Sequence, residues 1–418
     1  MHPNALLELA TDLLHQVLRL DAPADGIVSA FFRQHRMLGA RERHTLAETV
    51  YEVLRRRSLY QHLAQSGKGE MERRLAILGW QGNEGFLRAA LSEPERQWLE
   101  QVKAVDRSAL PEKLRHNLPE WLAEPLQRQL GEDFWPLVDS LNEPAPLDLR
   151  VNALKARREE VRAALAAANI ASEATPYSPW GLRIEGKPAL NKLEVFTRGD
   201  VEVQDEGSQL LALMTDAKRG EMVVDFCAGA GGKTLALGAS MRNTGRLYAF
   251  DTSAHRLDAL KPRLARSKLS NVHPAAIAHE RDDRIKRLAG KIDRVLVDAP
   301  CSGLGTLRRN PDMKWRQSPQ AVSELREKQT AILASAARLV KPGGRLVYAT
   351  CSLLEDEDEA IAHAFTEAHR DFLPLPAADA LARAHVTTPQ ALVRDEFLRL
   401  WPHRHGTDGF FAAAWERR

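Results

Sequence analysis

The stretch MVVDFCAGAGGKTLALGA, residues 222–239, decides the fold. An apolar run meets an acid at Asp225, glycines follow at 229, 231 and 232, and small and apolar residues then recur at helical spacing. The pattern predicts a strand, a tight turn and a helix. Glycines in such a turn let the backbone approach a ligand closely, and the first N–H groups of the following helix point at it. Gly232-Lys233-Thr234 looks like the end of a phosphate-binding loop. That loop needs a glycine five positions before Gly232, where Cys227 stands, so the sequence argues against a nucleoside triphosphatase.

Outward from this unit, apolar strands are expected at Arg246–Phe250, Ala275–Ala278, Arg294–Val297 and Arg345–Ala349, with helical stretches between them. This alternation predicts a doubly wound, largely parallel α/β sheet. Asp251 closes the strand after the glycine turn, where an acid can accept hydrogen bonds from ribose hydroxyls. A glycine turn and this acid suit an adenosine-bearing cofactor. The G-x-G-x-x-G pattern of nicotinamide dinucleotide sites is not reproduced by residues 229–234, which makes an NAD-dependent oxidoreductase a remote reading. S-adenosylmethionine, with a ribose and a carboxylate but no phosphate, fits better.

Two more strands run into cysteines: DRVLVDAPCSGLGTLRRNPDMKW, residues 293–315, and GGRLVYATCSLLEDEDEA, residues 343–360. Carboxyl ends of strands are where open α/β sheets hold ligands. Cys227, inside the glycine loop, reads as a small packing residue. Cys301 and Cys351, each followed by serine, read as reactive, and a helix start after Cys351 would favour its thiolate. Carbon 5 of cytosine is a poor nucleophile, but a thiolate added at carbon 6 makes it able to attack an electrophilic methyl group. A base must then remove the carbon 5 proton so that the thiol can leave. A nucleophile, a second group for release and a carboxyl group near ring nitrogen 3 are the minimum set, and Cys351, Cys301 and Asp298 can fill it. The acidic runs ERDDR and LLEDEDEA read only as short charge runs.

The remaining features bound the organisation. Residues 1–140 read as all helical, with Leu6, Leu9, Leu13, Leu14, Val17 and Leu18 at helical spacing. The proline-dotted region 94–146 reads as a connecting segment. Residues 141–200 read as a small α+β element with strands at Leu147–Val151 and Gly181–Ile184, and residues 201–418 as the catalytic domain. Lys and Arg number 59 against 56 Asp and Glu, a net charge of +3 that permits a nucleic-acid partner without diagnosing one. Basic clusters stand at Arg33, Arg36, Arg41 and Arg43, and at Arg55, Arg56 and Arg57. Arg308, Arg309, Lys314 and Arg316, interleaved with Trp315, are candidates for RNA contact. Three cysteines and no CxxC pair give neither a disulfide framework nor a zinc site, and no metal is expected. The start lacks a signal peptide's pattern and no apolar run is long enough for a membrane span, so a cytoplasmic protein, taken to be a monomer, is expected.

Six ordered segments, VQDEGSQL, DFCAGAGGKT, FDTS, DAPCSGLGTLRRNPDMKW, GGRLVYATCSLL and DGFFAAAW, resemble the Sun/Fmu-type RNA cytosine-5 methyltransferases of the small-subunit ribosomal RNA kind. The resemblance covers residues 145–418. LGARERHTLAETVYEVLRR within the helical start is similar to the NusB-type RNA-binding domain such enzymes carry. The resemblance implies a Rossmann-like S-adenosylmethionine-dependent sheet, an RRM-like element before it, and ribosomal RNA, 16S in kind, as partner. It implies Cys351 as the nucleophile and Cys301 as the group that assists adduct breakdown. Cofactor contacts are implied from Cys227, Ala228, Gly229, Ala230, Gly231, Gly232 and Lys233, from Asp251 and from Asp298. Asp282 is the favoured acid after the third strand. The family's loop reads CAAPGGKT, and here Gly229 and Ala230 replace its Ala-Pro pair. A transfer RNA cytosine-5 methyltransferase would share every catalytic residue, and a non-catalytic RNA-binding assembly factor is the reading if the loop changes abolish cofactor binding.

Overall fold

The computed structural model describes every residue except Lys187. The chain divides into two compact units: residues 1–144 with 306–319, and residues 145–305 with 320–418.

The first unit is helical. Leu6, Leu7, Leu13, Leu14 and Val17 of the helix Pro3–Val17 are buried, together with Leu46, Val50 and Val53 of the helix Ala40–Arg55. The region 94–146 is not a linker. It forms the helices Glu93–Lys103, Glu112–His116, Glu120–Leu130 and Phe134–Leu141, which bury Leu99, Leu122, Leu126, Phe134 and Leu137. Its prolines deceive because several open helices: Pro94 lies in a first turn, and Pro111 and Pro119 are the residues just before a helix begins. At these positions the missing N–H has no intrahelical partner to lose.

The second unit holds two sheets. The smaller, antiparallel one is built from β1 (Leu147–Val151), β2 (Ser172–Ala174), β3 (Gly181–Ile184) and β4 (Val201–Val203) in the order β2-β3-β1-β4. The helix Arg158–Ala167 turns Val161 and Leu165 into the core shared with Leu149 and Leu182.

The larger sheet comprises β5 (Met222–Asp225), β6 (Arg246–Asp251), β7 (Val272–Ala276), β8 (Ile292–Asp298), β9 (Val340–Thr350), β10 (Phe372–Leu375), β11 (Val393–Arg394), β12 (Phe397–Leu400) and β13 (Phe410–Arg417). Its order is β11-β12-β13-β9-β8-β5-β6-β7, with β10 paired to β13. Strands β5 to β9 pair in parallel, and β13 joins β9 antiparallel, so the doubly wound α/β reading holds and DGFFAAAW completes the sheet. The third expected strand lies earlier than Ala275–Ala278, because β7 pairs with β6 from Val272 onward. Pro274 obscured it, and an edge strand is where a sheet tolerates proline. The chain reverses sheet direction between β6 on one side of β5 and β8 on the other, so the carboxyl ends of β5, β6, β8 and β9 form one rim.

Candidate active site

The rim begins at Asp225. This residue ends a strand flanked on both sides by parallel neighbours, and burial pushes its carboxyl up to about 7. The Thr234 hydroxyl donates to Oδ2 at 2.6 Å, whereas the buried Oδ1 has no hydrogen-bond partner. Gly229 and Gly231 take φ of +56° and +82°. A Cβ at Gly231 would lie 2.1 Å from Leu260 Cδ1, so the turn needs glycine there for space as well as for conformation. The helix Gly232–Ser240 starts directly after it.

Three side chains hold this loop. Asp251, at the end of β6, accepts the Gly229 N–H at 2.8 Å through Oδ2. Arg263 donates to the Ala230 carbonyl and Arg150 to the Gly232 carbonyl, each at 2.7 Å. Arg263 also pairs with Glu202 of β4 at 3.0 Å. The bonds from Arg150 of β1 and Arg263 restrain Ala230 and Gly232. Neither arginine was legible as a loop brace, because both lie far from the motif in sequence.

Lys233 reaches across to Asp298 at the end of β8, with Nζ 2.7 Å from Oδ2. Burial works against this ammonium, but the charge and hydrogen bond of Asp298, with smaller help from Cys351 and Asp225, raise its pKa overall. Cys227 packs beside the core of the sheet, and burial pushes its thiol well up. Asp282 sits just before the helix Asp283–Lys286, where its Oδ1 accepts the Arg284 N–H at 2.9 Å and its Oδ2 the Ala278 N–H at 3.0 Å. Its carboxylate thus serves the turn after β7, and those backbone bonds hold its pKa below the usual range.

Cys301 and Cys351 follow β8 and β9, which pair in register from Arg294–Arg345 to Asp298–Ala349. Adjacency of the two strands brings the thiols together, with the sulfurs 3.4 Å apart and no disulfide between them. The hydrogen bond to Cys351, and then burial, push the Cys301 thiol well above its ordinary value. Beneath the thiols lie Glu357 and Asp358, both fully buried, so the acidic run LLEDEDEA is not simply a solvated charge run. Asp358 accepts from Thr350 and pairs with Arg399, whose Nη2 donates to the Leu353 carbonyl at 2.9 Å. Burial still pushes Asp358 up to about 7.

The candidates for RNA contact after Cys301 divide differently than expected. Residues 306–319 belong to the helical unit. There the Lys314 ammonium donates to the Arg55 carbonyl and the Trp315 indole N–H to the Leu54 carbonyl, each at 2.8 Å. Arg308 is buried and Arg316 lies 3.5 Å from Asp312. Arg55 is buried too, while Arg33, Arg36 and Arg41 are exposed. Lys314, Trp315 and Arg308 are therefore packing residues of the helical unit.

A doubly wound sheet with a glycine turn, an acid on the next strand and a functional rim at the strand ends defines the Rossmann-like methyltransferase class. Residues 212–416 match the family model described as 16S rRNA methyltransferase RsmB/F, and residues 118–191 match the ferredoxin-like domain of RsmF/B-like methyltransferases. The chain belongs to this RsmB/F family of rRNA methyltransferases. It is 37% identical over 307 residues to the probable ribosomal RNA small subunit methyltransferase B of Synechocystis sp., covering 72% of this chain and 66% of that protein. Against the probable ribosomal RNA small subunit methyltransferase B of Bacillus subtilis the identity is 32%, over 82% of this chain and 76% of the relative. The crystal structure of PH0851 is similar across 100% of this chain and 99% of that one, with a TM-score of 0.82 and 27% identity. Among the described residues no helix is long and apolar enough to cross a membrane.

Proposed function

We propose that this chain transfers a methyl group from S-adenosylmethionine to carbon 5 of a cytosine in small-subunit ribosomal RNA, through a covalent bond between Cys351 and carbon 6. The 3.4 Å separation of the Cys301 and Cys351 sulfurs carries this reading. Two thiols side by side at the strand ends suit a reaction in which one sulfur bonds to the substrate and must later depart.

S-adenosylmethionine suits the residues present. The loop 227–233 offers a glycine cradle with no room for a Cβ at Gly231, and the unpartnered, buried Oδ1 of Asp225 lies at its base. Asp251 and Asp298 flank it with carboxylates for hydroxyl and cationic groups. When bound, the cofactor supplies an electrophilic methyl group.

The chain's own residues do the rest. The Cys351 sulfur adds to carbon 6, and the electron pair displaced from the ring double bond makes carbon 5 nucleophilic. The Cys351 thiol proton passes to ring nitrogen 3 on addition, and the Asp298 carboxylate, ion-paired with Lys233, accepts a hydrogen bond from that N–H and takes the proton when methylation makes the ring cationic. After transfer, a water molecule takes the carbon 5 proton, the freed electron pair restores the ring double bond, and the bond from carbon 6 to the Cys351 sulfur breaks to leave a thiolate. A hydrogen bond from the Cys301 thiol stabilises that departing thiolate, and the raised pKa of Cys301 keeps the donor proton in place. A stacked base hides carbon 6, so the target must be extruded or unpaired. The exposed arginines 33, 36 and 41 of the helical unit suit contact with RNA phosphates. Cys301→Ala should accumulate a covalent protein–RNA complex that survives denaturing gels, whereas Cys351→Ala should form none; wild-type methylation by both variants would overturn the reading.

A further inference from the structure

The two thiols sit on separate loops, and a single buried side chain ties those loops together. Each cysteine is followed by a serine, and the hydroxyls of Ser302 and Ser352 both donate to Oε2 of Glu357 at 2.5 Å. Oε1 of the same carboxylate accepts the Ser302 backbone N–H at 2.8 Å and the Gln329 amide at 2.9 Å. Gln329 also donates to the Pro300 carbonyl at 3.0 Å, directly before Cys301. The Tyr348 hydroxyl fixes the Glu357 main chain by donating to its carbonyl at 2.6 Å. Glu357, Ser302, Ser352 and Gln329 are all completely buried. A closed ring results, running from Cys301 through Ser302, Glu357 and Ser352 to Cys351 and back across the 3.4 Å gap between the sulfurs.

From this geometry we infer that Glu357 is a positioning residue that sets the separation and facing of the two reactive thiols. The inference rests on the proposed two-thiol reaction. A carboxylate suits the task because it is purely an acceptor, so both serine hydroxyls must turn inward to it, and their backbones follow. Hydrogen bonds to an ionised acceptor are shorter and about twice as strong as neutral ones, which gives the ring stiffness where a reaction needs sub-ångström placement. The buried charge also opposes ionisation of Cys301, as a contribution smaller than those from Cys351 and burial. A neutral amide at position 357 would keep the volume, but it would replace one acceptor oxygen with a donor and loosen the register of one loop against the other.

The test measures the thiol pair itself, without RNA. In the full-length protein, the thiol oxidant diamide should convert Cys301 and Cys351 to a disulfide, identified by peptide mass mapping. Glu357→Gln and Glu357→Ala should slow that bond by about tenfold or more, since displacing reacting groups by about 1 Å costs on the order of 100-fold. In methylation assays kcat should fall while KM for S-adenosylmethionine stays within about twofold, because among the described residues the Glu357 side chain makes its hydrogen bonds to Ser302, Gln329 and Ser352 and not to residues 227–233. Glu357→Asp should recover part of both rates. Should Glu357→Ala fail to fold, the Ser302→Ala/Ser352→Ala double variant removes the same two bonds and should show the same slowing. Wild-type disulfide formation and kcat in the folded variants, with only the melting temperature lowered, would overturn the inference. Because disulfide formation needs neither RNA nor cofactor, its outcome is separate from whether the chain methylates cytosine.

Discussion

Lys314→Met should stabilise the helical unit at neutral pH, and by an amount that shrinks as the pH rises. Lys314 is 2% exposed, and burial, reinforced by Arg55 and Arg56, pushes its ammonium from the ordinary 10.5 down to about 7. The unfolded chain therefore holds a proton between pH 7 and 10.5 that the folded chain has lost. Stability rises with pH wherever the unfolded state binds more protons, so this lysine costs most below pH 7 and nothing above 10.5. At about 1.4 kcal/mol per pH unit the full penalty is at most about 5 kcal/mol. Methionine removes it and leaves the Arg55 carbonyl without its donor, a loss of about 1 kcal/mol that does not depend on pH. Urea unfolding of wild type and variant at pH 7 and pH 9, followed by tryptophan fluorescence, should show the variant's advantage shrinking by about 2 kcal/mol between the two. A gap that stays flat would mean that Lys314 keeps its proton across this range and is not desolvated. RNA binding and its salt dependence should be unchanged by the substitution, as fits a packing residue.

Three further outcomes are expected. Affinity for S-adenosylmethionine, a cationic ligand, should rise about tenfold from pH 6 to pH 8 as Asp225, with its carboxyl near 7, ionises, and Asp225→Asn should flatten that dependence in calorimetry. Arg263→Met removes a charged donor from the Ala230 carbonyl and should weaken cofactor binding by about 1.5–3 kcal/mol, read by the same titration, with the melting temperature as the control for folding. Arg399→Leu strands the buried Asp358 carboxylate and should destabilise the catalytic unit by about 3–5 kcal/mol in chemical denaturation.

Periodicity and strand-end residues carried most of the fold. The strands around residues 222–226, 246–250, 294–297 and 345–349 fall within about a residue or in the interior of β5, β6, β8 and β9, because buried parallel strands have a strong apolar signature. Pro274 masked the start of β7, and helix-opening prolines made a packed helical region look like a linker. At the rim, Asp251, Asp298, Cys301 and Cys351 were legible because each ends or follows an apolar strand. Asp225 ends a strand in the same way, and that signal was there to be read. Glu357 was not legible as more than charge: its partners Ser302, Ser352 and Gln329 come from three separate stretches, and only the pairing of β8 with β9 assembles them. Lys314 misled for the converse reason, since a lysine beside a tryptophan looks the same in sequence whether it meets RNA or the Arg55 carbonyl.

In the proposed mechanism Cys351 bonds to the substrate base and Cys301 helps it leave. Incubating Cys301→Ala protein with S-adenosylmethionine and 16S rRNA, then mapping the cross-linked peptide by mass spectrometry, tests it most directly. One adduct is expected, at Cys351, on a methylated cytosine, and none with Cys351→Ala. An adduct at Cys301 in the Cys351→Ala protein, or full turnover by Cys351→Ala, would contradict it.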